Sequence, residues 1–259
     1  REGSGTLSTL ARGLRALELI ADSPRPLSAA EFSDALDIRP GAGYQILRTL
    51  RAEGWVVRQP DSSYTLGPTA IRIGARAGNA SAPPPEALEV LESIHEALDE
   101  NLYLTLKQGS RIAIAAHLAG ERAVRVGPLS IGYAEHVHAR ATTRCVLAYL
   151  PEAEARAILP DELEALTAHT ITDREAIIAG FAKIRERGYA TEMEEFSEGV
   201  ACVSSIVLDA DGAAVGSIGI SVPLERFRTM HSALVHWAHM GGDRISRALG
   251  YPGEYPPPA

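Results

Sequence analysis

The residues able to do chemistry fall into three groups. Arg12, Arg39, Arg48, Arg51 and Arg58 lie in the first quarter of the chain, and clustered guanidinium groups suit phosphate oxygens. Glu192, Glu194, Glu195 and Glu198 precede Cys202, residue types that serve acid–base and thiol chemistry. A carboxylate run in a connection between strands is expected to be solvated surface. Cys202 sits in a strand pattern with no base beside it, which fits an inert, packed thiol. His117, His136 and His138, with His231, His236 and His239 on a late helix, invite a metal. Their spacing lacks the nitrogen and sulfur ligands in register that a zinc site needs. No catalytic residue, metal or cofactor is assigned, and a cysteine- or carboxylate-based hydrolase is the least favoured reading.

The background is that of an ordinary globular protein: 259 residues, 27.6 kDa, 46% hydrophobic and 22% charged. A disordered or collagen-like chain is excluded, and the length suits one or two domains. A net charge of −8 speaks against a general polyanion binder. That sum hides a split, because residues 1–78 hold ten Arg against eight acids, a net of +2, and residues 79–259 carry −10. Only the first part can accept a polyanion comfortably. No apolar run reaches the ~20 residues of a membrane span, and no basic-then-apolar leader pattern opens the chain at Arg1. Cys145 and Cys202 make no disulfide framework. A cytoplasmic location without a membrane partner is expected.

The elements that must position these residues divide near residue 80, where Pro83-Pro84-Pro85 stops a helix pattern. Before the break, Leu10, Leu14, Leu17 and Ile20 recur at helix spacing, and Ser28 with Glu31 reads as a capping box opening a second helix. Pro40 opens a third helix, for which Tyr44, Ile46, Leu47 and Leu50 form the expected buried stripe. Trp55 to Arg58 and Ser63 to Leu66 flank a turn. Three helices and a hairpin make a winged helix-turn-helix. After the break come a helix from Glu86, strands at 102–107 and 112–117, a short strand at Val124-Arg125-Val126, and a helix from Ala141 to Leu150. Thr172 with Glu175 is read as a cap for the next helix. Strands at 189–193, 202–208 and 214–221 follow, then a helix from Thr229 to Leu249. Helices flanking a largely antiparallel sheet make an α+β domain. The proline-rich tail from Tyr251 is expected to be loose or draped on the surface.

Several fragments then fall in a familiar order: Arg15-Ala16-Leu17-Glu18-Leu19-Ile20, Tyr44 to Leu50, Glu53-Gly54-Trp55-Val56 and Tyr64-Thr65-Leu66-Gly67. They continue with Arg187-Gly188-Tyr189-Ala190, Glu194-Glu195-Phe196, Gly199-Val200-Ala201-Cys202 and Ile218 to Pro223. Over nearly the whole chain this run resembles the IclR family of bacterial transcriptional regulators. The resemblance implies a winged helix-turn-helix at 1–67, a linker helix at 68–80 and a GAF-like α/β effector-binding domain with an antiparallel sheet at 81–259. It further implies a homodimer or homotetramer on a double-stranded DNA operator, a repressor or activator of a metabolic, catabolic operon. The apolar face of the first helix and residues Thr69 to Ala77 are the expected contact between copies.

On that resemblance Ala42, Tyr44, Gln45 and Arg48 belong to the reading helix, Gln suiting adenine. Arg12, Arg39, Arg51 and Arg58 stand at phosphates, and Arg58 with Ser62 lies on the wing. Family members commonly carry Ser and Thr where Gly41 and Ala42 stand and Arg where Gln45 stands. Each glycine costs about 1 kcal/mol of helix propensity, so Gly41-Ala42-Gly43 leaves open a sensor of the same fold with weakened DNA binding. Family ligand positions fall on Ala141, Thr142, Glu192, Cys202, Gly219 and Ser221, with Leu129, Ile131, Val146 and Val200 as apolar lining. Glu192 replaces a shorter Asp and Gly219 a hydroxyl residue. Amides at the start of the Ala141 helix suit a small organic or aromatic acid.

Overall fold

A computed structural model describes residues 7–80, 82–121 and 129–257. The chain forms two compact units, Arg1–Ala82 and Pro83–Ala259.

The first unit opens with α1 (Ser8–Asp22) and α2 (Ala29–Ala35). At the start of α2 the Ser28 hydroxyl accepts the Glu31 N–H while the Glu31 carboxylate accepts the Ser28 N–H, satisfying two donors that the first helical turn leaves open. Asp37, at φ 50°, turns the chain into α3 (Pro40–Ala52), with Pro40 at the first helical position. The hairpin of β1 (Val56–Arg58) and β2 (Tyr64–Leu66) follows, and Leu27 bridges to Tyr64 beside it. α4 (Pro68–Ala80) is tied to the end of α3 by Thr69, whose hydroxyl donates to the Glu53 carbonyl at 3.1 Å. Ala16, Ile20, Phe32, Leu47, Leu50, Val56 and Tyr64 fill the core.

The expected stripe on α3 needs one correction. Tyr44 is 59% exposed, and the buried positions are Gly43, Leu47 and Leu50. The reason is the crossing with α2, where a Cβ on Gly43 would overlap the Ser33 hydroxyl. Any side chain there would push the two helices apart. Gly41 faces open space.

In the second unit α5 (Pro85–Leu98) leads into a sheet of order β4-β3-β7-β6-β5, antiparallel throughout. Its strands are β3 (Asn101–Gln108), β4 (Arg111–Leu118), β5 (Tyr189–Met193), β6 (Val200–Leu208) and β7 (Ala214–Pro223). α5 and α9 (Leu224–Ala248) cover one face, while α6 (Ala141–Tyr149) and α8 (Arg174–Arg187) cover the other. With both faces covered, every residue of β6 is buried. Alternate side chains go to opposite cores. Ala201, Val203 and Val207 meet α5 and α9, and Cys202, Ile206 and Leu208 meet α6 and α8.

Several sequence expectations change here. A short α7 (Glu152–Ile158) follows α6 after Pro151, where no helix is anticipated. The cap of α8 is Asp173, whose carboxylate accepts from the Glu175 and Ala176 N–H groups; Thr172 lies one residue too early. α9 begins at Leu224 behind Pro223, five residues before Thr229. The tail is docked, with the Tyr255 hydroxyl donating to the Ile206 carbonyl at 2.6 Å and lying 2.7 Å from Ser205 Oγ. Val124-Arg125-Val126 lies outside the described residues.

The two glycines of α3 should respond oppositely to alanine. In urea unfolding of the full chain, Gly43→Ala should destabilise the first unit by about 1–3 kcal/mol through overpacking against Ser33. Gly41→Ala should stabilise it by up to about 1 kcal/mol.

Candidate functional site

The register of the second sheet builds a floor. Glu192 on β5 pairs with Cys202 on β6, Cys202 with Ser221 on β7, and Ser221 with Asn101 on β3, so one row of residues crosses four strands. Directly paired residues face the same side. In the next row Ser204 pairs with Gly219, and Gly219 with Tyr103. On the α6 side the middle of β7 presents Ser217, Gly219 and Ser221. The Ser217 hydroxyl donates to the Thr142 carbonyl at 2.8 Å, and a Cβ on Gly219 would overlap the Thr142 methyl. Small side chains thus let the start of α6 press against the sheet.

Where α6 begins, Tyr103, Ile114, Leu129, Arg140, Ala141, Thr142, Glu192, Phe196, Cys202 and Ser221 enclose a cavity. About 350 Å³ is free of atoms among and in front of the lining, open solvent included, yet only about 20 Å³ is wide enough for the centre of a water molecule, room for one ordered water. Six of the ten expected ligand and lining positions meet here: Leu129, Ala141, Thr142, Glu192, Cys202 and Ser221. Gly219 supports Thr142 from beneath, and Val200 is buried away from the lining. Ile131 is exposed and Val146 packs with the α6–α8 core. Sequence reasoning missed Tyr103, Ile114, Arg140 and Phe196. For Tyr103 the signal was its place one row from Ser221. For Arg140 it was only a basic residue at a helix start.

The electrostatics overturn the expectation of a solvated carboxylate run. Glu198 is exposed, but Glu192 is buried, and its Oε2 accepts from the Glu195 and Phe196 N–H groups at 3.1 and 3.4 Å. Burial pushes its carboxyl up to about 8, Arg144 acting in the opposite direction. Glu195 takes both arms of Arg144, at 2.8 and 2.9 Å, and Arg144 also donates to the Thr191 carbonyl. Burial raises the Cys202 thiol and takes Cys145 up to about 12, so both are neutral at physiological pH.

Arg140 is the other buried cation. It precedes α6 without capping it, is 4% exposed and spends one donor on the Ile112 carbonyl at 3.2 Å. Its guanidinium lies 5.3 Å from the centre of the Tyr133 ring. Nε and Nη1 have no partner. Burial lowers it to about 10, opposed by Tyr133 and Glu135, so the group stays charged at neutral pH.

The loop through Tyr133 and His136 lies beside this space, against the lining residues Phe196 and Arg140. Gly132 N–H donates to the Ile114 carbonyl and Ile114 N–H to the Tyr133 carbonyl, which pins the loop to β4. Tyr133 Oη lies 2.6 Å from His136 Nδ1, and His136 Nε2 lies 3.1 Å from a Glu164 carboxylate oxygen. Phe196 meets the Tyr133 ring edge-on at 6.1 Å. His138 Nε2 lies 2.9 Å from the Glu164 carbonyl oxygen, and His117 stacks on Tyr103. Among the described residues no three His, Cys, Asp or Glu side chains converge to hold a metal, and no described helix is long and apolar enough to cross a membrane.

On the first unit Arg39, Tyr44, Gln45, Arg48 and Arg51 are exposed on α3, with Ala42 half-buried. Tyr44, Gln45 and Arg48 share one face through their spacing of one turn. A shallow cleft lined by Gly54, Val56 and Pro60 brings Arg51 together with Arg58 of the wing. Arg58 donates to the Ser62 hydroxyl at 2.7 Å, and Ser62, at φ 70°, makes the turn. Arg12 is exposed on α1, among the outward Leu7, Leu10 and Leu14.

Comparison with known proteins adds to this geometry. Residues 85–247 match the family model described as "Bacterial transcriptional regulator IclR C-terminal", and residues 9–60 match the "IclR helix-turn-helix domain". The HTH-type transcriptional regulator BhcR of Paracoccus denitrificans is 30% identical over 87% of this chain and 81% of its own. The crystal structure of the Thermotoga maritima IclR superposes with a TM-score of 0.74 at 26% identity, covering 95% of this chain and all of that one. An IclR homologue of Microbacterium hydrocarbonoxydans, solved with 4-hydroxybenzoate, shares the fold at a TM-score of 0.73 and 18% identity, covering 93% of this chain and 99% of that one.

The buried carboxyl of Glu192 has a measurable consequence. Between its ordinary value and about 8 the folded protein holds a proton that the unfolded chain has released. Stability should therefore fall as pH rises through that range, by up to about 1.4 kcal/mol per pH unit. Urea unfolding between pH 5 and 8, taken as roughly that window, should show this slope flattened in Glu192→Gln.

Proposed function

The chain belongs to the IclR family of bacterial transcriptional regulators and is a ligand-responsive DNA-binding regulator; from that premise we propose how each unit works. α3 enters the major groove, with Tyr44, Gln45 and Arg48 at base edges and phosphates and Ala42 close to the DNA backbone. Arg12, Arg39, Arg51 and Arg58 hold phosphates, and Ser62 orients Arg58 on the wing. The observation that carries this reading is the single exposed face of α3 continuing into the cleft shared by Arg51 and Arg58. The alternative of a sensor without DNA affinity rests on Gly41-Ala42-Gly43. Packing against Ser33 gives Gly43 a structural reason, which leaves that alternative with Gly41, Ala42 and Gln45.

The second unit senses a small organic or aromatic acid in the cavity at the start of α6, contacted by Leu129, Ala141, Thr142, Glu192, Cys202 and Ser221. Three features support it: open amides at the start of α6, the apolar Tyr103, Ile114 and Phe196, and the 4-hydroxybenzoate seen in the Microbacterium homologue. Val200 and Gly219 act from behind this lining. The protein works in the cytoplasm as a homodimer or homotetramer controlling a catabolic operon, and it is not an enzyme, the raised thiols of Cys202 and Cys145 offering no nucleophile. Copies pair through the groove of Leu7, Leu10, Leu14, Leu17 and Trp55 on α1 and its neighbours, extended by the exposed Ile71 and Ile73 of α4.

Binding to the promoter fragment beside the protein's own gene tests the head. Arg48→Ala should weaken binding and make log affinity less steeply dependent on log salt, by about 0.9 for each phosphate that Arg48 neutralises. An unchanged slope removes Arg48 from the interface. Leu10→Glu combined with Leu14→Glu should shift the species seen in sedimentation velocity towards monomer, with the fold of the second unit intact.

A further inference from the structure

The first turn of α6 carries two buried arginines treated in opposite ways. Arg144 is neutralised by both oxygens of Glu195 and bound to the Thr191 carbonyl. Arg140, four residues earlier, lines the cavity with Nε and Nη1 unpartnered and no carboxylate within hydrogen-bond reach among the described residues. A buried charge without a counter-ion is costly to maintain, by several kcal/mol in general. It persists in folded proteins where a ligand supplies the missing charge or the environment substitutes for it. The environment here supplies one carbonyl, one aromatic face and the longer-range field of Glu135, an exposed carboxylate that is shared with Arg111. The amides of Ala141 and Thr142 open onto the same space without a capping side chain, and the helix dipole adds positive potential there.

We infer that Arg140 is the anchor of the effector's carboxylate, its two free donors and the first amides of α6 holding the anion while Tyr103, Ile114, Leu129 and Phe196 take the apolar body. The inference rests on the sensing cavity proposed above and adds the residue that sets its selectivity. It also fixes a charge: Arg144 and Glu195 cancel each other, and a protonated Glu192 adds none, so the site offers one uncompensated positive charge and selects a monocarboxylate. Glu192 and Ser221, on the sheet floor that faces α6, are left to meet a hydroxyl or carbonyl on the acid.

The test measures thermal unfolding of the full chain with small monocarboxylates from acetate to phenylacetate, each paired with its neutral amide, at about 10 mM. The parent should be stabilised by one or more carboxylates and not by the matching amides. Arg140→Met should melt no lower than the parent without ligand, because an apolar side chain of similar length replaces an unpaired charge, and it should lose the carboxylate shift. Arg140→Lys, which keeps the charge, should retain part of that shift, and it serves in place of Arg140→Met if the latter does not fold. Retention of the carboxylate preference in Arg140→Met would overturn the inference, as would a parent that no carboxylate stabilises beyond its amide. The cavity itself is tested separately by filling it with Ser221→Phe or the milder Cys202→Leu. If these abolish all ligand shifts while Arg140→Met abolishes none, the cavity stands and only the anchor is wrong. If the filled variants respond like the parent, the sensing site lies elsewhere.

Discussion

The second unit depends on how closely α6 can approach its sheet. β7 turns Ser217, Gly219 and Ser221 towards the helix, and the Thr142 methyl occupies the room that a Cβ on Gly219 would take. The Ser217 hydroxyl then fastens the helix through the Thr142 carbonyl. With larger residues along that strand face, α6 would ride outwards, the row from Glu192 through Cys202 to Ser221 would open to solvent, and the start of the helix would no longer face a closed space. Interiors packed to crystal-like density do not absorb such a displacement locally. The cavity thus depends on three small residues, of which only Ser221 lines it.

Charge is divided between the units in a way the whole-chain total conceals. The acidic excess belongs to residues 79–259 and the few surplus arginines to the head. A net charge of −10 disfavours DNA phosphates, whereas the +2 of the head favours them. Inside the sensor the same sign logic works at close range, where one arginine is cancelled by a carboxylate and its neighbour one turn away is not.

The fold was largely legible because its signals are local. The Ser28–Glu31 box, Pro40 at a helix start and the proline break at 83–85 each act within a few residues. What escaped detection depends on partners far along the chain. Glu192 looked like one of four surface acids, since nothing nearby reveals that β6 and α6 bury it. Tyr44 fitted a helical stripe, and only the crossing with α2 shows that Gly43 takes the inward position. Thr172 and Asp173 are both good caps, and the choice between them is made by the exact residue at which the chain turns helical. Arg140 was invisible as a binding group because an unpaired buried charge is defined by what is missing around it. Six of the ten ligand and lining positions that the family resemblance implied lie around one cavity, whereas spacing alone would have assembled none of them.

The loop beside the sensing cavity has a consequence for sensitivity. Space for a single water is too little for the acid proposed above, so binding it there requires the lining to open, and the contacts that link Tyr133, His136, Glu164 and Phe196 oppose that opening. Only the fraction of molecules already open can bind, and the apparent dissociation constant rises in inverse proportion to that fraction. Each roughly 1.4 kcal/mol added to the latch raises the metabolite concentration needed for a response tenfold. The set-point of such a regulator can therefore drift over decades of concentration through Tyr133, His136 or Glu164, none of which needs to touch the ligand.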